Sequence, residues 1–322
     1  MAAIRHAKLF AYRLPFSHSL SFNDNLLDAR SGLILQLENN LNQLSLGEIA
    51  PLQGFSHETL EQAAEQIISL LNRGCENLHS VESLYPSVNF GLTSALANLS
   101  YTESPIHLDM IPLLQGESSQ LLNQYQDLNH PPIIKLKVAR QTIQDDILLF
   151  NALTRINPNI LIRCDANQAW TITQAAYFFE NINTLNIDYI EEPTSDHQRN
   201  LRLATRYNIS LGLDESLQNS KFTYQHDPKI KALVLKPTLI GSLKRLESFI
   251  KIAGQHQLQV HISSSFESII GLQQLATLAN RYNKKCQLSL GVDTLKYFNN
   301  TLLTDIDNVE SDLLKLTCIW SD

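Results

Sequence analysis

Two lysines stand in a stretch of sequence that otherwise reads as a buried β-strand. The stretch is Ile-Ile-Lys-Leu-Lys-Val, residues 133–138. Side chains alternate between the two faces of a strand, so Lys135 and Lys137 share one face. An ammonium group that leaves water loses several kcal/mol of hydration unless it is paired or neutralised. We therefore expect the lysine pair to have a function.

Three carboxylates follow later apolar runs, each about one βα unit after the one before. They are Asp165, Glu191 and Asp214. Any one of them alone is best read as the N-cap of the next helix. Together, three oxygen ligands from neighbouring strands suit a hard cation such as Mg²⁺, which keeps water or substrate oxygens in its other positions. The sequence predicts a Mg²⁺ site, and the same ligands would accept Mn²⁺ as a substitute.

A further lysine ends another aliphatic run. Lys236, in Leu-Val-Leu-Lys-Pro-Thr, could alone extend its ammonium group to the rim. In an eight-stranded barrel it would instead face Lys137 across the metal. That geometry suits proton abstraction beside a carboxylate, because the cation stabilises an enediolate and a lysine neutralised by cationic neighbours acts as the base.

The chain must supply elements that bring these residues together. Short apolar runs alternate with helical segments from about residue 111, and eight runs are typical of strands: 111–114, 133–138, 160–164, 187–190, 209–213, 232–235, 258–262 and 286–290. Parallel strands need such crossover helices. Nearly every run ends in a charge or hydroxyl, which favours an α/β TIM-like barrel with its chemistry at one mouth over the alternative, a doubly wound open sheet.

The first hundred residues predict an α+β domain. Strands are expected at residues 4–14 and 31–38, with a polar loop from Ser17 to Ser31, and helices at residues 60–71 and 88–99. We expect an α+β capping domain at residues 1–104, a barrel domain at 105–294, and a segment at 295–322 that packs back on the first domain.

Composition narrows the classes of partner. The chain has 322 residues, 43% hydrophobic and 18% charged, with a net charge of -7 and a pI near 5.8. These values are typical of a globular protein and argue against a surface that binds nucleic acid or an anionic membrane. A small-molecule substrate is therefore expected. The four dispersed cysteines and the charged start predict a cytoplasmic protein with reduced thiols. The oligomeric state is left open, a monomer included.

Other motifs carry less weight. Arg163 is expected to brace carboxylates, and His57, His197 and His261 to have surface or structural roles. The sequence has no Gly-x-Gly-x-x-Gly, Walker loop or Gly-x-Ser-x-Gly, so nucleotide and acyl-enzyme functions have no support.

Taken in order, five motifs resemble the enolase superfamily in its muconate-lactonising branch: Lys-x-Lys, Asp-Ala-Asn, Glu-Glu-Pro, Asp-Glu-Ser and Lys-Pro-Thr. Four longer stretches, at residues 47–56, 86–91, 236–242 and 262–268, resemble the proteobacterial family of o-succinylbenzoate synthases of menaquinone biosynthesis. The resemblance runs from about Tyr12 to Leu295. It departs at Leu46, where relatives often carry tryptophan, and at Leu290, where they often carry proline.

The resemblance implies a (β/α)₇β barrel under an α+β capping domain, with one Mg²⁺. The implied reaction is syn dehydration of 2-succinyl-6-hydroxy-2,4-cyclohexadiene-1-carboxylate. Lys137 would remove the proton and help the hydroxide leave, Lys236 would stabilise the enediolate as a cation, and Lys135 would keep Lys137 reactive. By the same resemblance Asp165, Glu191 and Asp214 would bind the metal, and the substrate would be contacted by Arg30, Ser263, Ser264 and Gly291.

Two other functions remain as alternatives. An N-acylamino acid racemase or dipeptide epimerase of the same superfamily could use the same lysines and metal. Dipeptide epimerases are expected to carry Asp-x-Asp on the last strand, where this chain has only Asp293. A non-catalytic small-molecule binding barrel is the second alternative, and the presence of the lysines and all three acids counts against it.

Overall fold

The protein folds into two β-sheets, one antiparallel and one parallel. The computed structural model describes residues 3–22, 25–75, 78, 83–98, 111–114, 116, 118–283, 285–299 and 302–322. The domain boundary predicted at residue 104 lies outside these residues. None of the helices described is long and apolar enough to cross a bilayer.

The antiparallel sheet contains four strands in the order β12-β1-β2-β3. Its first three strands are β1 (Ile4–Phe22), β2 (Asn25–Asn39) and β3 (Leu44–Ile49), and its helices are α1 (Leu60–Leu71) and α2 (Pro86–Asn98). Thr59 and Gln62 form a capping box that starts α1. The helix then turns its apolar face onto the sheet, burying Ala63, Ile67 and Leu71.

The prediction of a loop from Ser17 to Ser31 is wrong for most of that stretch. β1 and β2 form one long hairpin whose register runs from Ile4 opposite Asn39 to Phe22 opposite Asn25, with an irregularity between Pro15 and Leu20. Near its tip, half-buried and exposed side chains alternate along β2 from Asn25 to Ala29, and Ser17, His18 and Ser19 of β1 are exposed. Such a ribbon needs few apolar residues, so its composition resembles that of a loop.

All eight barrel strands predicted from the sequence are confirmed. They are β4 (Leu113–Leu114), β5 (Ile133–Lys137), β6 (Leu161–Asp165), β7 (Ile187–Glu191), β8 (Leu211–Leu213), β9 (Ile230–Leu235), β10 (Gln259–Ser263) and β11 (Leu288–Gly291). They pair in sequence order from β4 to β11. The amide of Ile111, just before β4, donates to the Leu290 carbonyl of β11 at 3.3 Å. This contact brings the first and last strands together, so the sheet is a barrel and the open-sheet alternative is wrong.

Helices surround the barrel and cover the outward side chains of its strands. They are α3 (Ser118–Asp127), α4 (Ile143–Ile156), α5 (Ile172–Glu180), α6 (His197–Tyr207), α7 (Glu215–Gln218), α8 (Pro237–Ile240), α9 (Leu243–His256) and α10 (Ile269–Tyr282). Ile134 and Leu136 of β5 point outward and pack in the same core as Phe150 and Phe178. Each such burial contributes roughly 1.5–3 kcal/mol. The outward face therefore holds the barrel together and leaves the inward face for polar groups.

The C-terminal segment returns from the barrel to the antiparallel sheet. After α11 (Val309–Leu313), strand β12 (Thr317–Ser321) pairs antiparallel with β1, with Trp320 opposite Leu9. The indole of Trp320 donates to Asn72 at 2.8 Å. The predicted three-part division into residues 1–104, 105–294 and 295–322 stays our proposal.

Candidate active site

The strand register brings the predicted site residues to the inner face of one end of the barrel. In β5, β6 and β7, Lys137 is paired with Asp165, and Asp165 with Glu191. Asp214 directly follows β8 and Lys236 directly follows β9. Because parallel strands share one carboxyl edge, all of these side chains meet at the same mouth.

The three acids form one tight cluster. Each of Asp165, Glu191 and Asp214 offers a carboxylate oxygen within 4.8 Å of the other two, and none is more than 1% exposed. Among the residues that the structure describes, this is the one group of three or more candidate metal-ligating side chains. Oxygen Oε1 of Glu191 is buried without a hydrogen-bond partner, which is costly unless a cation sits beside it. The cluster therefore fits a small, hard metal ion.

Three lysines contact the acid cluster. Lys135 Nζ lies 2.7 Å from both Asp165 and Glu191. Lys137 Nζ lies 2.6 Å from Asp165, and Lys236 Nζ bonds Asp214. In the closed order of strands, β5 and β9 are on opposite sides of the barrel, so Lys137 and Lys236 approach the cluster from two sides.

The two opposed lysines differ in their pKa shifts. Burial lowers the pKa of Lys137. The negative charge of Asp165 opposes this shift, and the positive charges of Lys135 and Lys236 add to it. Burial acts in the same direction on Lys236, but the negative charges of Asp214 and Glu215 outweigh it and raise that pKa. The site thus favours a neutral amine at Lys137 and an ammonium group at Lys236, which is the pairing that a base and an electrostatic stabiliser need.

Two neighbouring acids support the cluster. Glu192 Oε1 accepts the amides of Asp214 at 2.9 Å and of Ser216 at 3.0 Å, so it fixes the chain just after β8. Glu215 Oε1 accepts from the side-chain amide of Asn167 at 3.0 Å. Burial and the charge of Asp214 raise the pKa of Glu215.

Asn167 is a site residue that the sequence reasoning missed. Its Oδ1 accepts from Lys137 Nζ at 2.8 Å, while its Nδ2 donates to Glu215. Its backbone is left-handed, with φ of 44°. Because Glu215 fixes which end of the amide faces Lys137, Asn167 orients the lysine. Its place two residues after Asp165 was the available signal.

A cavity of about 440 Å³ opens above the lysines and acids. Its wall includes Ser263, Ser264 and Gly291, three of the residues predicted to contact substrate, and also Thr294 and His261, which were not predicted to do so. Ser264 Oγ lies 3.0 Å from Thr294 Oγ1. The antiparallel domain covers the opening with His18, Ser19, Leu20, Leu52 and Phe55.

Arg30 takes a different position from the other predicted substrate contacts. It is 3% exposed and is not among the residues that line this cavity. Its guanidinium group donates to the carbonyls of Ala50, Pro51 and Phe266, the last at 3.2 Å. It therefore joins β2 to the segment after β10. Arg163 bonds Asp188 at 2.8 Å, and so braces a carboxylate.

Comparison with known proteins adds independent information. Residues 4–99 match the family model described as MenC, N-terminal domain, and residues 118–306 match Enolase C-terminal domain-like. An o-succinylbenzoate synthase of Pasteurella multocida (strain Pm70) is 34% identical, over 92% of this chain and 90% of the relative. Another, of Aliivibrio fischeri (strain MJ11), is 32% identical over 99% and 100%.

A solved structure shares the fold. It is an o-succinylbenzoate synthase from Thermosynechococcus elongatus BP-1 complexed with Mg in the active site. The TM-score is 0.76 at 24% identity, over 97% of this chain and 100% of that one. At this identity the likeness bears on the fold alone.

Proposed function

The chain belongs to the o-succinylbenzoate synthase family of the enolase superfamily, and we propose that it dehydrates 2-succinyl-6-hydroxy-2,4-cyclohexadiene-1-carboxylate to 2-succinylbenzoate in menaquinone biosynthesis. It is a lyase that acts on a small molecule. The observation that carries the chemistry is the placing of two lysines of opposite pKa shift on two sides of a buried acid cluster.

Asp165, Glu191 and Asp214 would hold the Mg²⁺ ion. The donor set consists of oxygens only, and the unpartnered Oε1 of Glu191 supports the presence of a cation. When bound, Mg²⁺ supplies positive charge that stabilises the negative charge developing on the substrate carboxylate.

Lys137 is our proposed base. It takes the proton from the ring carbon that bears the carboxylate, and the electron pair of that C–H bond moves onto the carboxylate to give an enediolate. The protonated Lys137 then gives the proton to the hydroxyl group; as the C–O bond breaks and water leaves, the electron pair returns to form the third double bond of the aromatic ring. Because the elimination is syn, one amine on one face can serve both steps. The lowered pKa of Lys137 and its contact with Asn167 support this role.

Lys236 and Lys135 act by charge in this proposal. Lys236 remains an ammonium group, held by Asp214, and stabilises the anion from the face opposite Lys137. Lys135 bridges Asp165 and Glu191, and its charge helps to lower the pKa of Lys137. Exchange of either lysine for a neutral residue would therefore weaken catalysis without removing the base.

The predicted substrate contacts stay proposals of different strength. Ser263, Ser264 and Gly291 stand in the cavity wall, which supports direct contact. For Arg30 the contacts favour an indirect role, since its guanidinium group is bonded to backbone carbonyls.

The epimerase alternative is less well supported by the last strand. Asp293, the one aspartate of this region, follows β11 by two residues, lines the cavity and bonds Lys296 at 2.5 Å, and it is not part of an Asp-x-Asp pair. A cytoplasmic location also stays our proposal, with the four dispersed cysteines of the sequence as its support.

An absorbance assay tests the function. The protein is incubated with the cyclohexadiene substrate and Mg²⁺, and aromatisation is followed in the ultraviolet, with a chelator in a parallel sample. We expect turnover that the chelator abolishes and added Mg²⁺ restores. Absence of turnover with Mg²⁺ present would refute the proposal, and racemisation of N-acylamino acids by the same sample would favour the alternative.

A further inference from the structure

One histidine stands in the cavity wall without a part in the chemistry proposed above. His261 lies on β10, is 2% exposed and faces the inside of the barrel, two residues before Ser263 on the same face. Gly291 on β11, which pairs with Ser263 of β10, also lines the cavity. The imidazole is therefore part of the surface that a bound molecule meets.

Its hydrogen bonds indicate which ring nitrogen carries the proton. Nδ1 of His261 lies 2.9 Å from the hydroxyl oxygen of Ser289, and that oxygen also lies 3.3 Å from Nη1 of Arg163. Arg163 can only donate, so the hydroxyl accepts from it and has its own proton to give. Nδ1 is the acceptor within its reach among the described contacts. With the Ser289 hydroxyl as the donor to Nδ1, the neutral ring carries its proton on Nε2.

The imidazole packs directly against the neighbouring glycine. A Cβ atom built on Gly291 would lie 2.4 Å from Nε2 of His261, closer than to any other atom. Any side chain at position 291 would collide with the imidazole. Nε2 therefore lies against Gly291, which lines the cavity together with Ser263 and His261 itself.

The position of this donor relative to the acids decides which part of the substrate it meets. In the closed order of eight strands, β11 lies opposite β7, the strand of Glu191. The reacting carboxylate belongs beside the acids and between Lys137 and Lys236. The rest of the substrate then lies against the remaining wall, which β10, β11, Ile111 and Leu113 form together with Leu20, Leu52 and Phe55 of the capping domain.

We propose that Nε2–H of His261 donates a hydrogen bond to an oxygen of the succinyl side chain, and that His261 thereby helps to select substrates with an oxygen-bearing acyl chain. This inference rests on the proposed function. Burial, with the positive charges of Lys135 and Arg163, lowers the pKa of His261 well below its ordinary value. The imidazole stays neutral, so it serves as a donor without adding charge.

Ligand analogues test the inference in a residue-by-ligand comparison. Affinities of the Mg²⁺-loaded protein are measured by calorimetry for 2-succinylbenzoate, 2-butyrylbenzoate, 2-(3-carboxypropyl)benzoate and benzoate. His261→Leu should weaken 2-succinylbenzoate by about tenfold or more, the usual effect of losing a hydrogen bond to a charged or carbonyl oxygen, and benzoate by less than about twofold. His261→Gln, which can present an amide N–H near the same place, should recover most of the loss. His256→Leu, at an exposed histidine of α9, is the matched control and should change neither affinity.

The analogues also identify the acceptor. A loss that persists with 2-butyrylbenzoate, which has only the keto oxygen, assigns the donor to that oxygen. A loss that persists with 2-(3-carboxypropyl)benzoate assigns it to the terminal carboxylate. Equal losses for benzoate and 2-succinylbenzoate would overturn the inference while the function stands. Wild-type protein that neither binds 2-succinylbenzoate nor turns over its precursor would overturn the function and this inference with it.

A measurement on the unmodified protein covers the case in which the variants fold poorly. Nitrogen NMR of labelled imidazoles distinguishes the two neutral tautomers. We expect the protonated nitrogen of His261 to be Nε2, and its resonance to shift on addition of 2-succinylbenzoate but much less with benzoate. A proton on Nδ1, or equal shifts with both ligands, would refute the inference.

Discussion

Replacing Lys137 with alanine removes the proposed base with little disturbance to its surroundings. The lost Nζ lies 2.6 Å from Asp165 and 2.8 Å from Asn167, and the side chain is 15% exposed. Asp165 keeps Lys135 as a partner at 2.7 Å. Asp165, the carboxylate that Lys137 contacts, is not left without a cation, so the free energy of unfolding should fall by less than about 2 kcal/mol rather than by the 3–5 kcal/mol typical of a broken buried pair.

The effect on catalysis should be much larger. A positioned general base contributes about 10² to 10⁴ in rate, or roughly 3–5 kcal/mol of activation free energy. In this site the same amine also returns the proton to the departing hydroxyl group, so we expect kcat of Lys137→Ala to fall toward or beyond the upper figure. Since substrate binding also uses the metal and the cavity wall, KM should change less than kcat.

The assay follows aromatisation in the ultraviolet at saturating substrate and Mg²⁺, with circular dichroism and a thermal melt on the same preparation. Lys231→Ala is the matched control, because Lys231 is also a barrel lysine bonded to an acid. It lies near the start of β9, away from the cavity, and its partner Asp188 keeps Arg163 at 2.8 Å. We expect that variant to keep near-normal kcat. A folded Lys137→Ala protein with kcat within tenfold of the unmodified protein would refute the base assignment.

Three further predictions concern pH and the junction between the domains. If neutral Lys137 is the active form, kcat/KM should rise with pH and level off below pH 10.5, because the pKa of Lys137 is lowered from that value. A profile that falls over this range would contradict the proposal. Burial raises the pKa of Asp146 from 3.8 to about 6, so ionisation of this carboxyl destabilises the fold, and the free energy of unfolding should decrease as pH rises from about 4 to 6. In urea titrations, Asp146→Asn should remove about 1–2 kcal/mol of that decrease. An unchanged pH dependence in the variant would argue against this prediction. Glu48→Gln should lower the free energy of unfolding by about 2–4 kcal/mol in the same assay, because the new amide group would face N–H and O–H donors that now bond a carboxylate. A change below about 0.5 kcal/mol would show that those hydrogen bonds contribute little.

The barrel was predictable because two independent signals agreed. Apolar runs recur at the spacing of βα units, and the polar residue at the end of each run, such as Asp165 or Lys236, marks the edge where parallel strands meet. The hairpin from Ser17 to Ser31 was missed because a strand pair with one exposed face and a partly covered one carries little hydrophobic signal. The pairing of this tip depends on the register that the rest of β1 and β2 sets, and that register cannot be read from the residues of the tip alone.

The metal-binding acids and the lysines were predictable for a chemical reason. A buried charge is expensive, so its presence in an apolar strand indicates use. Asn167, Thr294 and His261 carry no charge whose burial would mark them; for Asn167 the only signal was its place two residues after Asp165. Arg30 illustrates the opposite difficulty: its charge drew a prediction of substrate contact, but only the tertiary structure shows that four backbone carbonyls accept from its guanidinium group.

Two buried charges at the domain junction connect the antiparallel sheet to the cavity wall. Glu48, at the end of β3, accepts from the Tyr12 hydroxyl at 2.5 Å and from the amides of Ser268 at 3.0 Å and Gly271 at 2.7 Å. These two amides belong to the first turn of α10, which favours a negative charge. Arg30 holds Phe266 from the same domain, and Phe266 has a left-handed backbone with φ of 60°.

The anchored residues come shortly after Ser263 and Ser264, which stand in the cavity wall. The position of this segment is therefore set by the capping domain as well as by β10. A charge at a junction is usually a cost. Here Glu48 accepts from two amides of the barrel domain, and Arg30 adds the barrel carbonyl of Phe266 to its acceptors in its own domain, so the correct docking of the two domains completes the hydrogen bonding of both. The capping domain thus covers the cavity and also shapes the wall against which the substrate must fit.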